Sequence, residues 1–148
     1  MATRHRGTPA EIRALNAFIV LMRAADAVTA RLTAELSKVS LTESQFGVLE
    51  ALHHLGPMCQ AELGRKILKT SGNMTMVIDN LEKRHLVRRE RDEHDRRYIS
   101  VHLTTEGEAL IGEFFPGHAA RIASVMGALT ESEQEELRRL CRKLGTSV

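Results

Sequence analysis

Two short stretches of the chain carry side chains able to recognise a polyanion. Asn73, Thr75, Met76, Asn80 and Lys83 interleave with an apolar series at Met74, Val77, Ile78 and Leu81, so on a helix they fall outside the buried stripe. Asn can pair with adenine, Thr can bond a base or touch a thymine methyl, and Met can lie on apolar base edges; this is the chemistry of major-groove readout. Thr70, Ser71, Gly72 and Asn73 stand at the start of that helix, where backbone amides can meet a phosphate. Further along, Asp95, Arg96 and Arg97 end a polar run that begins at Asp92. At a hairpin tip, guanidinium groups can enter a minor groove or clamp phosphates, and Asp95 can hold one of them in position. Each stretch alone has a plain alternative, a solvated helix face for the first and a surface ion pair for the second. Their adjacency is far more specific than either part.

Charge is distributed in the same sense. From Arg65 to Arg97 there are ten Lys or Arg against six Asp or Glu, whereas the whole chain carries a formal net charge of only +2. The positive charge is therefore concentrated in the segment holding both stretches, as a surface that tracks phosphates requires.

The elements that must position these residues follow from caps and periodicity. Aromatic residues make up only 3% of the 148, with no Trp, so the core must be built from Leu, Ile, Val, Met and Ala, which points to a mostly helical chain. Thr8-Pro9-Ala10-Glu11 joins an N-cap Thr, a Pro at the first helical position and a Glu three residues after the cap, and the apolar spacing from Ile12 to Leu36 predicts one long helix to about Lys38. Thr42 to Gln45 is a second capping box, opening a helix that stops at Gly56-Pro57. Residues 60–68 read as a short third helix, and residues 69–72 as a tight connection to the fourth. After His85 the period changes to two, over Leu86 to Arg91 and again over Tyr98 to Leu103, which predicts a hairpin with residues 92–97 at its tip. A fifth helix should open at Thr104 and be kinked or interrupted at Pro116-Gly117, and a sixth should run from the capping box at Thr130 to Gly145.

The fold expected is mainly α with a small β-hairpin wing: a winged helix-turn-helix core over residues 42–103, flanked by terminal helices over residues 8–38 and 104–146, in a single domain. Residues 41–107 resemble the MarR family of bacterial regulators. Thr75, the run from Asp79 to Lys83, Leu86-Val87, Asp95-Arg96-Arg97 and Leu103 to Gly107 carry the resemblance, and the flanking helices extend it over nearly the whole chain. The resemblance implies that the helix from Ser71 reads the major groove, that Arg97 enters the minor groove, and that helices one, five and six form a homodimer interface. It implies a transcriptional regulator, expected to be a repressor, on double-stranded DNA with a pseudo-palindromic operator. One departure is His85, where the family usually has Gly; a left-handed backbone there would carry a cost that Gly avoids. The segment from Glu113 to Ala119, with Ala128 to Thr130, looks like a subgroup that senses quinones and phenolic compounds. The pocket so implied, for a small aromatic effector, has Phe18, Met22, Phe46 and His53 as candidate liners, each of which also reads as ordinary core or surface.

Other chemistries find less support. Cys59 and Cys141 are isolated thiols, read as buried and inert in a reduced, cytoplasmic protein, although a redox response through Cys59 stays open because it precedes a helix. Glu50 and His53 form a single Glu-x-x-His, whereas a di-iron bundle needs two, and no zinc spacing occurs. No cofactor or metal is expected. Glycine-rich phosphate loops, nucleophile elbows and HExxH are absent, which argues against an enzyme. No apolar run suits a membrane span or a signal peptide. A winged helix used only for protein contacts is the remaining alternative.

Overall fold

The structure, a computed structural model, describes residues 4–67 and 71–147, excepting the side chains of Ser71 and Gly72. Thr70, expected at the helix connection, lies outside the described residues. Two compact units, Met1–Gly47 and Val48–Val148, are taken in turn.

In the first unit, α1 spans Pro9–Thr33. Its capping box forms as expected: the Thr8 amide donates to Glu11 Oε2 at 2.7 Å and the Glu11 amide to Thr8 Oγ1 at 3.2 Å. The helix is shorter than the apolar spacing predicts. Thr33 turns its hydroxyl back onto the Thr29 carbonyl at 3.0 Å, and a 3₁₀ turn, Leu36–Val39, replaces the last α-helical residues. That turn closes on Ser40, left-handed at φ 53°, with the Leu41 amide donating to Leu36 O at 3.0 Å. No residue of α1 is buried, and Phe18, Val20 and Met22 are exposed. Helix α2, Glu43–Leu55, starts from reciprocal Thr42 and Gln45 bonds and crosses into the second unit.

There Gly56, at φ 83°, turns the chain into β1, Met58–Cys59. This strand was not expected, being only two residues long. It pairs with β3, Ile99–Leu103, through Met58↔Val101 and Cys59↔Ser100. The other partner of β3 is β2, Val87–Arg91, so the expected hairpin forms and β1 extends it to an antiparallel sheet of order β1-β3-β2. Helices α3, Gln60–Ile67, and α4, Ser71–Lys83, stand between β1 and β2 in sequence. Val48, Leu49, Leu63, Met74, Ile78, Leu81, Val87, Val101 and Ile111 are among the fully buried residues that bind these elements into one core.

Helix α5, Thr105–Met126, continues through Pro116, so of the kink or interruption expected at Pro116-Gly117 the interruption does not occur. Proline removes one backbone bond and crowds the preceding turn. Burial of Ile111 before it and His118 after it anchors both flanking turns. Gly107 lets α5 approach Leu86, the residue before β2: a Cβ there would overlap the Leu86 carbonyl oxygen. Helix α6, Glu131–Gly145, starts from a capping box at Thr130 and buries no residue, leaving Leu137, Leu140 and Leu144 exposed. Among the described residues no helix is long and apolar enough to cross a membrane.

Candidate nucleic-acid interface

Helix α4 divides its faces as its spacing predicts. Met74, Ile78 and Leu81 are fully buried, while Asn73, Thr75, Met76, Asn80 and Lys83 are exposed. The apolar face fixes the rotation of the helix about its axis, and the polar face is thereby turned to solvent. Helix α3 buttresses it: the Gln60 amide nitrogen donates to Thr75 Oγ1 at 2.7 Å. Gln60 was not among the candidate residues. Its signal was its place as first residue of the helix preceding α4.

The C-terminal end of α4 holds a left-handed residue at His85, φ 57°. The Leu86 amide donates to Leu81 O at 3.0 Å and the His85 amide to Glu82 O at 2.9 Å, the paired bonds of a Schellman motif. The Thr104 hydroxyl then donates to the His85 carbonyl at 2.5 Å and the Thr104 amide to Leu86 O at 3.1 Å. The turn between α4 and β2 is thus tied to the start of α5, and that tie holds His in a conformation Gly would adopt more cheaply.

At the wing tip, Asp92 Oδ1 accepts from the amides of His94 and Asp95, both at 2.8 Å. The Asp92 amide donates to Tyr98 O and the Tyr98 amide to Asp95 O, each at 2.9 Å. This local framework leaves Asp95 facing Arg97: its Oδ1 accepts from the Arg97 amide and from Nε, both at 3.1 Å. Those bonds from Arg97 hold the Asp95 carboxyl below its usual pKa. The Arg97 side chain nonetheless stays 92% exposed, so the cation is oriented without being covered. Arg96 is exposed too, and its carbonyl accepts from Arg91 Nη1 at 3.0 Å.

Sequence reasoning overlooked Arg89. Its guanidinium donates to Asp79 Oδ1 at 2.7 Å and to Glu82 Oε1 at 3.0 Å, joining β2 to α4. The available signal was strand alternation, since Arg89 shares a face with buried Val87, where a charge requires partners. On the other face of the sheet, His102 Nε2 lies 3.1 Å from Glu90 Oε2, and burial followed by the Arg88 charge lowers its pKa.

The candidate liners of an effector pocket are distributed as follows. Phe18 and Met22 are exposed on α1, and Phe18 borders an open groove with His5, Glu11, Ala14 and Leu15. Phe46 is buried. His53 Nδ1 lies 2.7 Å from Glu108 Oε1, with its ring near His54 and Phe115. The cysteines depart from expectation, Cys59 being half-buried on β1 and Cys141 exposed on α6. Cys141 stands beside Leu137, Leu140 and Leu144, which are exposed, an outcome that apolar spacing alone does not reveal. Among the described residues no group of three or more His, Cys, Asp or Glu could hold a metal ion.

This arrangement has counterparts. The sequence profile of the MarR family matches residues 41–99, from the residue before α2's cap to the first residue of β3. Over 133 residues the chain is 35% identical to the HTH-type transcriptional regulator MhqR of Bacillus subtilis (strain 168), covering 90% of this chain and 92% of that one. It superposes with a TM-score of 0.76 on Bordetella bronchiseptica BpsR, 31% identical over 85% of this chain and 90% of that one, a protein whose DNA binding is regulated by 6-hydroxynicotinic acid. A TM-score of 0.84 relates it to Sco3205, a MarR family regulator from Streptomyces coelicolor solved in complex with DNA; at 23% identity over 97% of this chain and 91% of that one, this likeness speaks for the fold. The helix-turn-helix, the wing and a relative matched almost end to end agree: the chain belongs to the MarR family of transcriptional regulators.

Proposed function

We propose that this chain is a repressor that binds a pseudo-palindromic operator as a homodimer and is released by a small phenolic or quinone-like effector. The observation that carries the reading is the pairing of an exposed polar face on α4 with an oriented, exposed Arg97 on the wing. In this reading Asn73, Thr75, Met76 and Asn80 meet base edges in the major groove. Thr70, Ser71, Gly72 and Lys83 meet phosphates, Arg97 enters the adjacent minor groove with Asp95 aiming it, and Arg96 contacts the backbone. A two-fold dimer matches such a unit to two half-sites about one helical turn apart. Exposed apolar residues on α1 and α6 supply surface for that association. Regulation of BpsR by a hydroxylated aromatic acid supports an effector of similar chemistry.

Selection from random duplexes followed by footprinting tests the reading. Enrichment of an inverted repeat with both half-sites protected is expected, and release by members of a phenol and quinone panel identifies the effector. Failure to enrich any sequence would reject operator reading, and protection of one half-site alone would reject the dimer geometry.

A further inference from the structure

We infer that Arg89 is a positioning residue that sets the angle between α4 and the wing, and so lets one chain read both grooves in register. The inference rests on the DNA-binding reading above. Three bonds converge: Arg89 Nη2 to Asp79 Oδ1 at 2.7 Å, Nη1 to Glu82 Oε1 at 3.0 Å, and the Arg89 backbone amide to Glu82 Oε2 at 3.1 Å. Glu82 therefore spends one oxygen on the side chain and the other on the strand itself. Because β2 is an edge strand in the order β1-β3-β2, its outward amide has no strand partner, and α4 supplies one.

Stability alone is a weak reason for such a device. The Arg89, Asp79 and Glu82 side chains are 25%, 47% and 42% exposed, and ion pairs that wet contribute little to folding. What three convergent bonds do achieve is direction. Asp79 and Glu82 lie one turn apart on α4, so a planar guanidinium bridging them resists both sliding and swivelling of the strand against the helix. Arg89 stands opposite Val101 in the register, and the wing tip begins immediately after Arg91. A swivel at Arg89 is carried outward to Arg97.

Charge gives the test its sign. Asp79 and Glu82 are two carboxylates on the helix proposed to face a polyanion, and by relief of Coulomb repulsion alone their removal strengthens DNA binding. Positioning predicts the reverse for the selected operator. The experiment compares wild type, Asp79→Ala/Glu82→Ala and Arg89→Lys on that operator and on a scrambled duplex across a salt series, with thermal melts to verify folding. Expected is an operator affinity about tenfold lower for both variants, with scrambled-duplex affinity unchanged for Arg89→Lys and unchanged or higher for the double variant. Arg89→Lys keeps the charge but loses the two-pronged geometry, so an unaltered salt slope alongside lost operator affinity separates positioning from phosphate contact. The inference is overturned if the double variant holds the operator as well as wild type does, or if both duplexes weaken together. A wild type without preference for any selected duplex would instead overturn the DNA reading itself.

Discussion

At the scale of single residues, His85 and His118 each hold a state that the surrounding structure enforces. His85 sits at φ 57° because the Schellman bonds at the end of α4 and the Thr104 hydroxyl leave its backbone no other course. An L residue pays for that conformation, so His85→Gly should raise stability by about 1 kcal/mol, read as a higher urea midpoint with unchanged slope. An equal or lower midpoint would mean that the imidazole contributes more than the strain removes. His118 is buried beside Phe114 and Phe115. Burial lowers its pKa from 6.5, with Glu50 opposing the shift and Arg121 adding to it. The unfolded chain therefore takes up this proton at higher pH than the folded one. Stability from His118 is full above pH 6.5 and is lost as pH falls through its lowered folded value, and His102 titrates in the same sense. Melting temperature should thus decline below pH 6.5, less steeply in His118→Phe, which keeps the aromatic packing and removes the proton site. Equal slopes in the two proteins would contradict this assignment.

At the scale of elements, the decisive contacts are those that join α4, the wing and α5. Gly107 is the closest: a methyl there would overlap the Leu86 carbonyl oxygen, which is backbone and cannot swing aside. Gly107→Ala should cost about 3 kcal/mol and loosen the start of α5, measurable by chemical denaturation and by faster amide exchange at position 107 and at Glu108. A cost near zero would show that the junction is pliable. Local signals made much of this layer readable beforehand. The boxes at Thr8, Thr42 and Thr130 are sequence-near devices, and each opens its helix in the structure. Apolar spacing was a poorer guide to where α1 ends, because the 3₁₀ turn at Leu36–Val39 continues to bury Leu36 while dropping the α-helical bonds. Strand β1 was hidden because two residues show no periodicity, and its pairing with β3 reaches across some forty residues of chain. Shorter separations, fifteen residues for Gln60 against Thr75 and ten for Arg89 against Asp79, still cross from one element to another: composition marks such residues as polar, and only the fold gives them partners. For the candidate site, the solvent face of α4 and the Asp95 hold on Arg97 were legible, the first from a 3.6-residue period and the second from adjacency.

At the scale of the whole molecule, the terminal helices expose apolar side chains that a solitary chain has no reason to keep in water. Leu137, Leu140 and Leu144 recur along one side of α6, with ion pairs from Glu135 to Arg138 and from Glu136 to Arg139 on the remainder. A homodimer through this surface should scatter light at twice the 16.5 kDa chain mass, and Leu140→Glu should return it toward a single chain while leaving the helical circular dichroism intact. A wild-type protein already running as a single chain at micromolar concentration would contradict the dimer. The concentration of positive charge between Arg65 and Arg97, in a chain of net charge +2, then acquires its meaning as a local surface rather than a global property. The central claim is that this surface reads DNA through α4 and anchors through Arg97. Its most direct test is the affinity of wild type and Arg97→Ala for one selected operator duplex, measured across a salt series. The account predicts a steep fall of affinity with salt, and for Arg97→Ala a loss of about ten- to hundredfold with a shallower slope. Affinity indifferent to salt, or an Arg97→Ala protein that binds as wild type does, would contradict it.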